Sequence, residues 1–258
     1  VWEWIENYPL KNQVWKGYFE DILVDEGNQN RDQLSALETA RYLLEKKDRF
    51  ANWKEMVINI LDWVETILAA PPFYHTIAIH EQKFCYHVMG SHTARFASIL
   101  ALLGELTGSE EFQQKAELSF NWAGYMANEN GTVTVGIDRP DYYNQCWFTD
   151  GYFDYVPHFI DGMASLVCTA PEGRDCMLRS SSIIQTIEYE DKSIHYRSFD
   201  DSGVQRFKLS AFPKEIHGDG KILPHLEVWG EKAGWMEHSK QNRVIDIQAH
   251  SRNVEVIL

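Results

Sequence analysis

Residues 92–131, HTARFASILALLGELTGSEEFQQKAELSFNWAGYMANENG, constrain the fold more than any other stretch. Two apolar-periodic segments meet at the turn Thr107-Gly108-Ser109, which is too short to let the chain do anything but reverse. Gly108 can close the first helix, and Ser109 can cap the second. Glu110 and Glu111 occupy the first turn of that second helix, where the helix dipole favours negative charge. An antiparallel helical hairpin over roughly 90–130 follows.

Upstream, residues 33–47 set Leu34, Leu37, Ala40 or Arg41, and Leu44 at helical spacing, and Asn30 or Asp32 is placed to cap them. Residues 53–69 put Met56, Ile60, Trp63 and Ile67 on one face, widened by Val57, Leu61 and Leu68, until Pro71 and Pro72 stop the helix. Residues 131–137, GTVTVGI, alternate like a short strand. Residues 151–166 predict a last helix, bent or restarted at Pro157.

After Ser182 the period changes from helical to alternating. IIQTIEYE, SIHYRSF, VQRFKLSAF, LEVWGE, RVIDIQAH and NVEVIL read as strands separated by DK, DDSG, HGDG and SRN turns. Such a series predicts an antiparallel sandwich. Charge changes with period: residues 1–178 hold 13 Lys/Arg against 26 Asp/Glu, and residues 179–258 hold 11 against 12. The expected class is α+β, with a helical domain over 1–175 and a β-sandwich domain over 176–258.

A net charge of −14 with no compensating basic cluster argues against nucleic acid as a partner. No apolar run approaches the roughly 20 residues of a membrane span. Val1 stands where an initiator Met would, with no leader before Trp2, so a processed or truncated chain is expected. Cys168 and Cys176 bracket the loop CTAPEGRDC. They are either two free thiols or a local disulfide, and the disulfide would imply an extracellular or periplasmic location.

Helical pairs with the phrase ALLGELTG before a second helix and a closing glycine, and less closely QLSALETARYLLEKK, resemble the six-hairpin glycosidase-like (α/α) toroids. The order of helices and then a sandwich is similar to heparinase-type polysaccharide lyases. The resemblance spans about residues 30–258 and implies an incomplete (α/α) toroid, because the sequence offers only five or six helices. Either further hairpins are absent, or the ring is an open arc. It also implies a carbohydrate substrate. No cofactor and no metal are expected.

In a toroid, the loops at one end ring a cleft. WFTDGYFDYVPHF, residues 147–159, mixes aromatics with acids in the way a sugar cleft does. If that segment is helical, Asp150, Asp154 and His158 share a face, with Tyr143 and Trp147 before it. The alternative is structural, with Asp150 as a cap and the aromatics as core. The stretch 75–92 holds four histidines and Glu81 at spacings that fit no zinc pattern. His92 and Arg95, one turn apart, could together bind a carboxylate.

Hydrolysis would draw its two carboxyl groups from Asp150, Asp154 and Glu81. β-Elimination on a uronate would draw a base and a carboxylate-neutralising group from Tyr143, Tyr152, His87, His92 and Arg95. The negative helical region favours a neutral glycan, and thus a glycoside hydrolase-like reading. The alternatives are a polysaccharide lyase and a non-catalytic glycan-binding protein.

Overall fold

The computed structural model describes residues 1–16, 30–70, 76–83, 87–129, 131, 133–134 and 150–258, the first five residues of the last span by backbone alone. The chain is α+β and divides into two compact units, Val1–Leu166 and Val167–Leu258. The division falls nine residues before the expected 175/176 boundary, because the turn Val167–Thr169 and the loop to Asp175 group with the second unit.

The first unit contains α1 (Trp2–Ile5, continued by a π turn over Glu6–Leu10), α2 (Leu34–Glu45), α3 (Trp53–Leu68), α4 (Gly90–Thr107), α5 (Glu110–Gly124) and α6 (Asp150–Ser165). α4 is the hub, packing on α2, α5 and α6. Fourteen of its eighteen residues are buried, so it is covered on all sides rather than along one stripe, with small residues interspersed among Phe96, Ile99, Leu100 and Leu103. Gly108 ends it in the left-handed region at φ +67°. Ser109 Oγ then accepts from the Phe112 amide at 3.5 Å, and the predicted hairpin closes as α4–α5.

The other helices refine the sequence expectations. Asp32 Oδ1 accepts from the Leu34 amide at 2.6 Å at the start of α2. Leu34 itself is 45% exposed, and Leu43 joins Leu37, Ala40 and Leu44 in the core. On α3 the buried face runs through Val57, Ile60, Leu61, Val64 and Leu68, and Ile67 turns outward. α6 runs as one uninterrupted helix through Pro157.

Between α3 and α4 the described residues 76–83 and 87–89 form isolated bridges rather than a strand. They are tied down by Ala70 N–H to Ala78 O, His80 N–H to Leu68 O and Ser119 Oγ to Ile77 O, all at 2.8–2.9 Å. The strand expected over 131–137 amounts, within its described part, to a single bridge between Ala127 and Val133. Residues 135–137 lie outside the described residues.

The second unit is two antiparallel sheets around one core. Its strands are β1 (Cys176–Ser180), β2 (Ile184–Tyr189), β3 (Ser193–Ser198), β4 (Gly203–Lys208), β5 (Glu215–Gly218), β6 (Lys221–Ile222), β7 (Gly234–Ser239), β8 (Val244–Ala249) and β9 (Asn253–Ile257). The sheet orders are β1-β4-β8-β7 and β2-β3-β9-β5-β6. Alternation sends Ile194, Tyr196, Val254 and Val256 of one sheet against Phe207, Ile245 and Ile247 of the other. Tyr196 Oη donates to Gln205 Oε1 at 3.0 Å between the sheets, and burial pushes this phenol far above its usual range.

LEVWGE is not a strand. The Leu226 amide donates to Trp235 O at 2.8 Å and Gly230 O accepts from Gln248 Nε2 at 3.0 Å, but no ladder forms, and Val228 is 79% exposed. The edge strand beside β8, opposite β4, is instead β7, GWMEHS, whose polar outer face hides the alternation. Cys168 and Cys176 are not bridged to each other.

A buried arginine–histidine network beside an aromatic groove

α2, α4 and α6 bring Arg41, Arg95 and His158 together. Arg95 Nε donates to His158 Nε2 at 3.1 Å, and Arg41 Nη2 lies 3.1 Å from His158 Nδ1. The ring is 8% exposed. Burial first, and then the charges of Arg95, Arg41 and His92, drive its pKa down to about 3, so the imidazole is neutral. A neutral imidazole accepts at one nitrogen only. One of the two guanidinium contacts is therefore always short of a full hydrogen bond.

Other partners take up the remaining guanidinium hydrogens. Arg95 Nη1 donates to Gln33 Oε1 at 3.2 Å, and Arg41 Nη2 to Ser98 Oγ at 2.8 Å. Ser98 Oγ passes its own hydrogen to Arg95 O at 2.7 Å. Glu38 lies 3.3 Å from Arg95 Nε and 3.6 Å from Arg41 Nε, and Asp161 lies 3.3 Å from Arg41 Nη1. The two guanidinia are 15% and 4% exposed, whereas the two carboxylates are 45% and 56% exposed. The cations are thus fixed and the anions reach solvent.

Glu38 also belongs to the wall of a groove of about 700 Å³ between α1, the segment after it and α2. The other main lining groups are Trp2, Trp4, Tyr8, Trp15 and Tyr42. Trp2 stacks near Tyr42 at 5.7 Å and Trp4 near Tyr8 at 5.5 Å between ring centroids, both tilted.

The residues singled out from the sequence fall into three groups. Arg95 and His158 meet directly. His92, also buried, lies one turn before Arg95 on α4 and is close enough to depress His158 electrostatically. Glu81 and His87 sit together before α4, joined by the Glu81 amide to His87 O at 2.8 Å. Asp150, Tyr152 and Asp154 lie on the first turns of α6, with side chains outside the described residues. Tyr143 and Trp147 also lie outside the described residues.

Arg41, Glu38, Asp161 and the α1 aromatics were not identified as site residues from the sequence. Arg41 occupied a place in an apolar stripe beside Ala40. The tryptophans before residue 16 lacked any period long enough to announce a helix. The only available signal was the spacing of Glu38 and Arg41, one turn apart.

No protein-family model matches the chain, and no curated protein matches it.

Proposed function

We propose that the protein is carbohydrate-active and acts on an acidic glycan, with the helical unit forming an arc of an (α/α) toroid. The observation that carries this reading is the convergence of Arg41 and Arg95 on a neutral imidazole, beside carboxylates that solvent can reach. A uronate carboxylate replacing Glu38 or Asp161 would meet prepaid guanidinium donors without any new charge being buried. Neutralising that carboxylate acidifies the neighbouring C–H, which is what β-elimination of a glycosidic bond needs.

His158 suits positioning rather than proton abstraction, because a group with a pKa near 3 is a weak base. We assign proton abstraction to His92, one turn before Arg95. The negative charge of residues 1–178 acts against a polyanion at long range. The guanidinia act inside the screening length, where local charge dominates.

Hydrolysis of a neutral glycan is the second reading, favoured by Glu38, a carboxylate at the aromatic groove. A glycan polymer as substrate would place the protein outside the cytoplasm, in the periplasm or beyond the cell.

A panel of acidic and neutral polysaccharides tests both readings. β-Elimination creates an unsaturated uronate that absorbs in the ultraviolet, whereas hydrolysis releases reducing ends without that absorbance. Arg95→Lys should raise KM on the acidic polymer at least about tenfold, since the planar fork is lost while the charge remains. Absorbance with unchanged KM in this variant would remove the network from the site.

A further inference from the structure

We infer that Glu38 is a built-in stand-in for the ligand's carboxylate, a displaceable plug in the site that Arg41 and Arg95 form. This rests on the acidic-ligand reading above and decides which of the two resident carboxylates gives way. Glu38 reaches both guanidinia with one oxygen each, Oε1 at 3.3 Å from Arg95 Nε and Oε2 at 3.6 Å from Arg41 Nε. Neither contact is a full hydrogen bond. The single hydrogen on Arg95 Nε goes to His158 Nε2, and 3.6 Å lies beyond hydrogen-bond reach. Charge alone therefore holds Glu38 in place. Asp161 differs, because Arg41 Nη1 donates to its Oδ2 at 3.3 Å.

The place that Glu38 fills is preformed for an anion and open to one. Both cations are pinned by other partners, Arg41 Nη2 by Ser98 Oγ at 2.8 Å and Arg95 Nη1 by Gln33 Oε1 at 3.2 Å, so they stay when Glu38 leaves. The Glu38 side chain is 45% exposed and borders the α1 groove, which gives it room to turn away. Arg41 Nε–H offers a charge-assisted bond that Glu38 does not take up. A carboxylate arriving from solvent is not tethered to α2 and can close that gap. Glu38 competes with it, because two carboxylates repel each other at one spot. Removing the plug should thus tighten binding, an effect that the loss of a purely structural acid does not produce.

The test uses the full chain and two probes, sodium D-glucuronate and sodium acetate, at an ionic strength fixed with sodium chloride. NMR titration following the Nε–H signals of Arg41 and Arg95 gives the affinities. Glu38→Gln, which keeps the shape and removes the charge, should bind both probes at least about fivefold more tightly than the wild type. Glu38→Ala should show the same gain, so the result does not hang on one substitution. Arg41→Lys added to Glu38→Gln should lose most of it, since the Nε–H is gone while the charge remains.

Equal affinity in the wild type and both Glu38 variants, or tighter binding by the wild type, would overturn the proposal. The enzyme reading fails separately. Tighter binding in Glu38→Gln without cleavage of any polysaccharide keeps the plug and removes the enzyme. A gain for acetate alone keeps the plug and removes the sugar acid as its ligand. Cleavage that vanishes in Glu38→Gln, with glucuronate affinity at the wild-type value, makes Glu38 a reacting group and removes the plug.

Discussion

A neutral imidazole wedged between two guanidinia makes stability depend on pH. His158 holds off its proton until about pH 3 in the folded chain, whereas an unfolded histidine takes one near 6.5. Between these values the unfolded state binds more protons, so this contribution is full above about pH 6.5 and is lost as pH falls toward 3. The loss is at most about 1.4 kcal/mol per pH unit from this group. Urea unfolding followed by helical circular dichroism from pH 7 to pH 4 should therefore fall more steeply in the wild type than in His158→Asn. Parallel curves would mean that the ring is not held neutral. Arg95 and His158 could be singled out in the sequence because each is a polar residue breaking an apolar helix. Their convergence could not, since it depends on how α2 and α6 lie across α4. Arg41 shows the limit well: the register that puts it next to Ala40 is the register that points it at His158, and spacing alone does not separate core from network.

Helices were legible where local chemistry punctuates them, and strands were not where pairing decides. The α4–α5 hairpin carries its own stop, cap and turn within Thr107–Glu111, and its two helices form as expected. β7 carries no such signal, because GWMEHS is held by the register of β8 and not by its own alternation. The packing of α4 can be probed from both sides. Leu100→Ala or Leu103→Ala, at 2% and 0% exposure, should each cost about 2–5 kcal/mol in urea unfolding. Neutral results at both would mean that the hairpin core is elsewhere. Gly162→Ala probes the α6 contact: a Cβ there would fall 2.1 Å from Phe120 Cζ and 3.1 Å from Ser98 Cα. One of these neighbours is backbone of α4 and cannot swing away, so a loss of about 1–3 kcal/mol is expected from a change that normally favours helix. Because Ser98 also bonds Arg41, this variant should weaken the network as well, and its effect should not add to that of Arg41→Ala.

Two cores of different construction imply that the chain has a seam. One is built from the helices of the first unit and the segments between them, the other from the facing residues of two sheets, and among the described residues no buried apolar side chain is shared between them. The sequence announced this through the change from helical to alternating period. It placed the seam late, because a proline- and glycine-bearing loop looks like a linker from both ends. The second unit instead begins before that loop, at Val167, with Lys208 Nζ donating to Ala170 O at 3.1 Å and the Asp175 carboxylate accepting from the Ser210 amide at 2.5 Å. The exposed stretch Pro171–Arg174 is the weak point inside it. Trypsin under native conditions should therefore cut after Arg174 before it cuts after Arg95 or Arg179, since Arg174 is exposed in a turn whereas Arg179 is half-buried in β1 and Arg95 is enclosed in α4. Mass spectrometry would show products ending at 174 and beginning at 175. The smaller product holds every described strand and all of its core, so it should keep β-type circular dichroism and a cooperative melt. Early cleavage at Arg95 or Lys115, inside the hairpin, would mean that the helical unit opens before the seam does, and the two-core architecture would have to be abandoned.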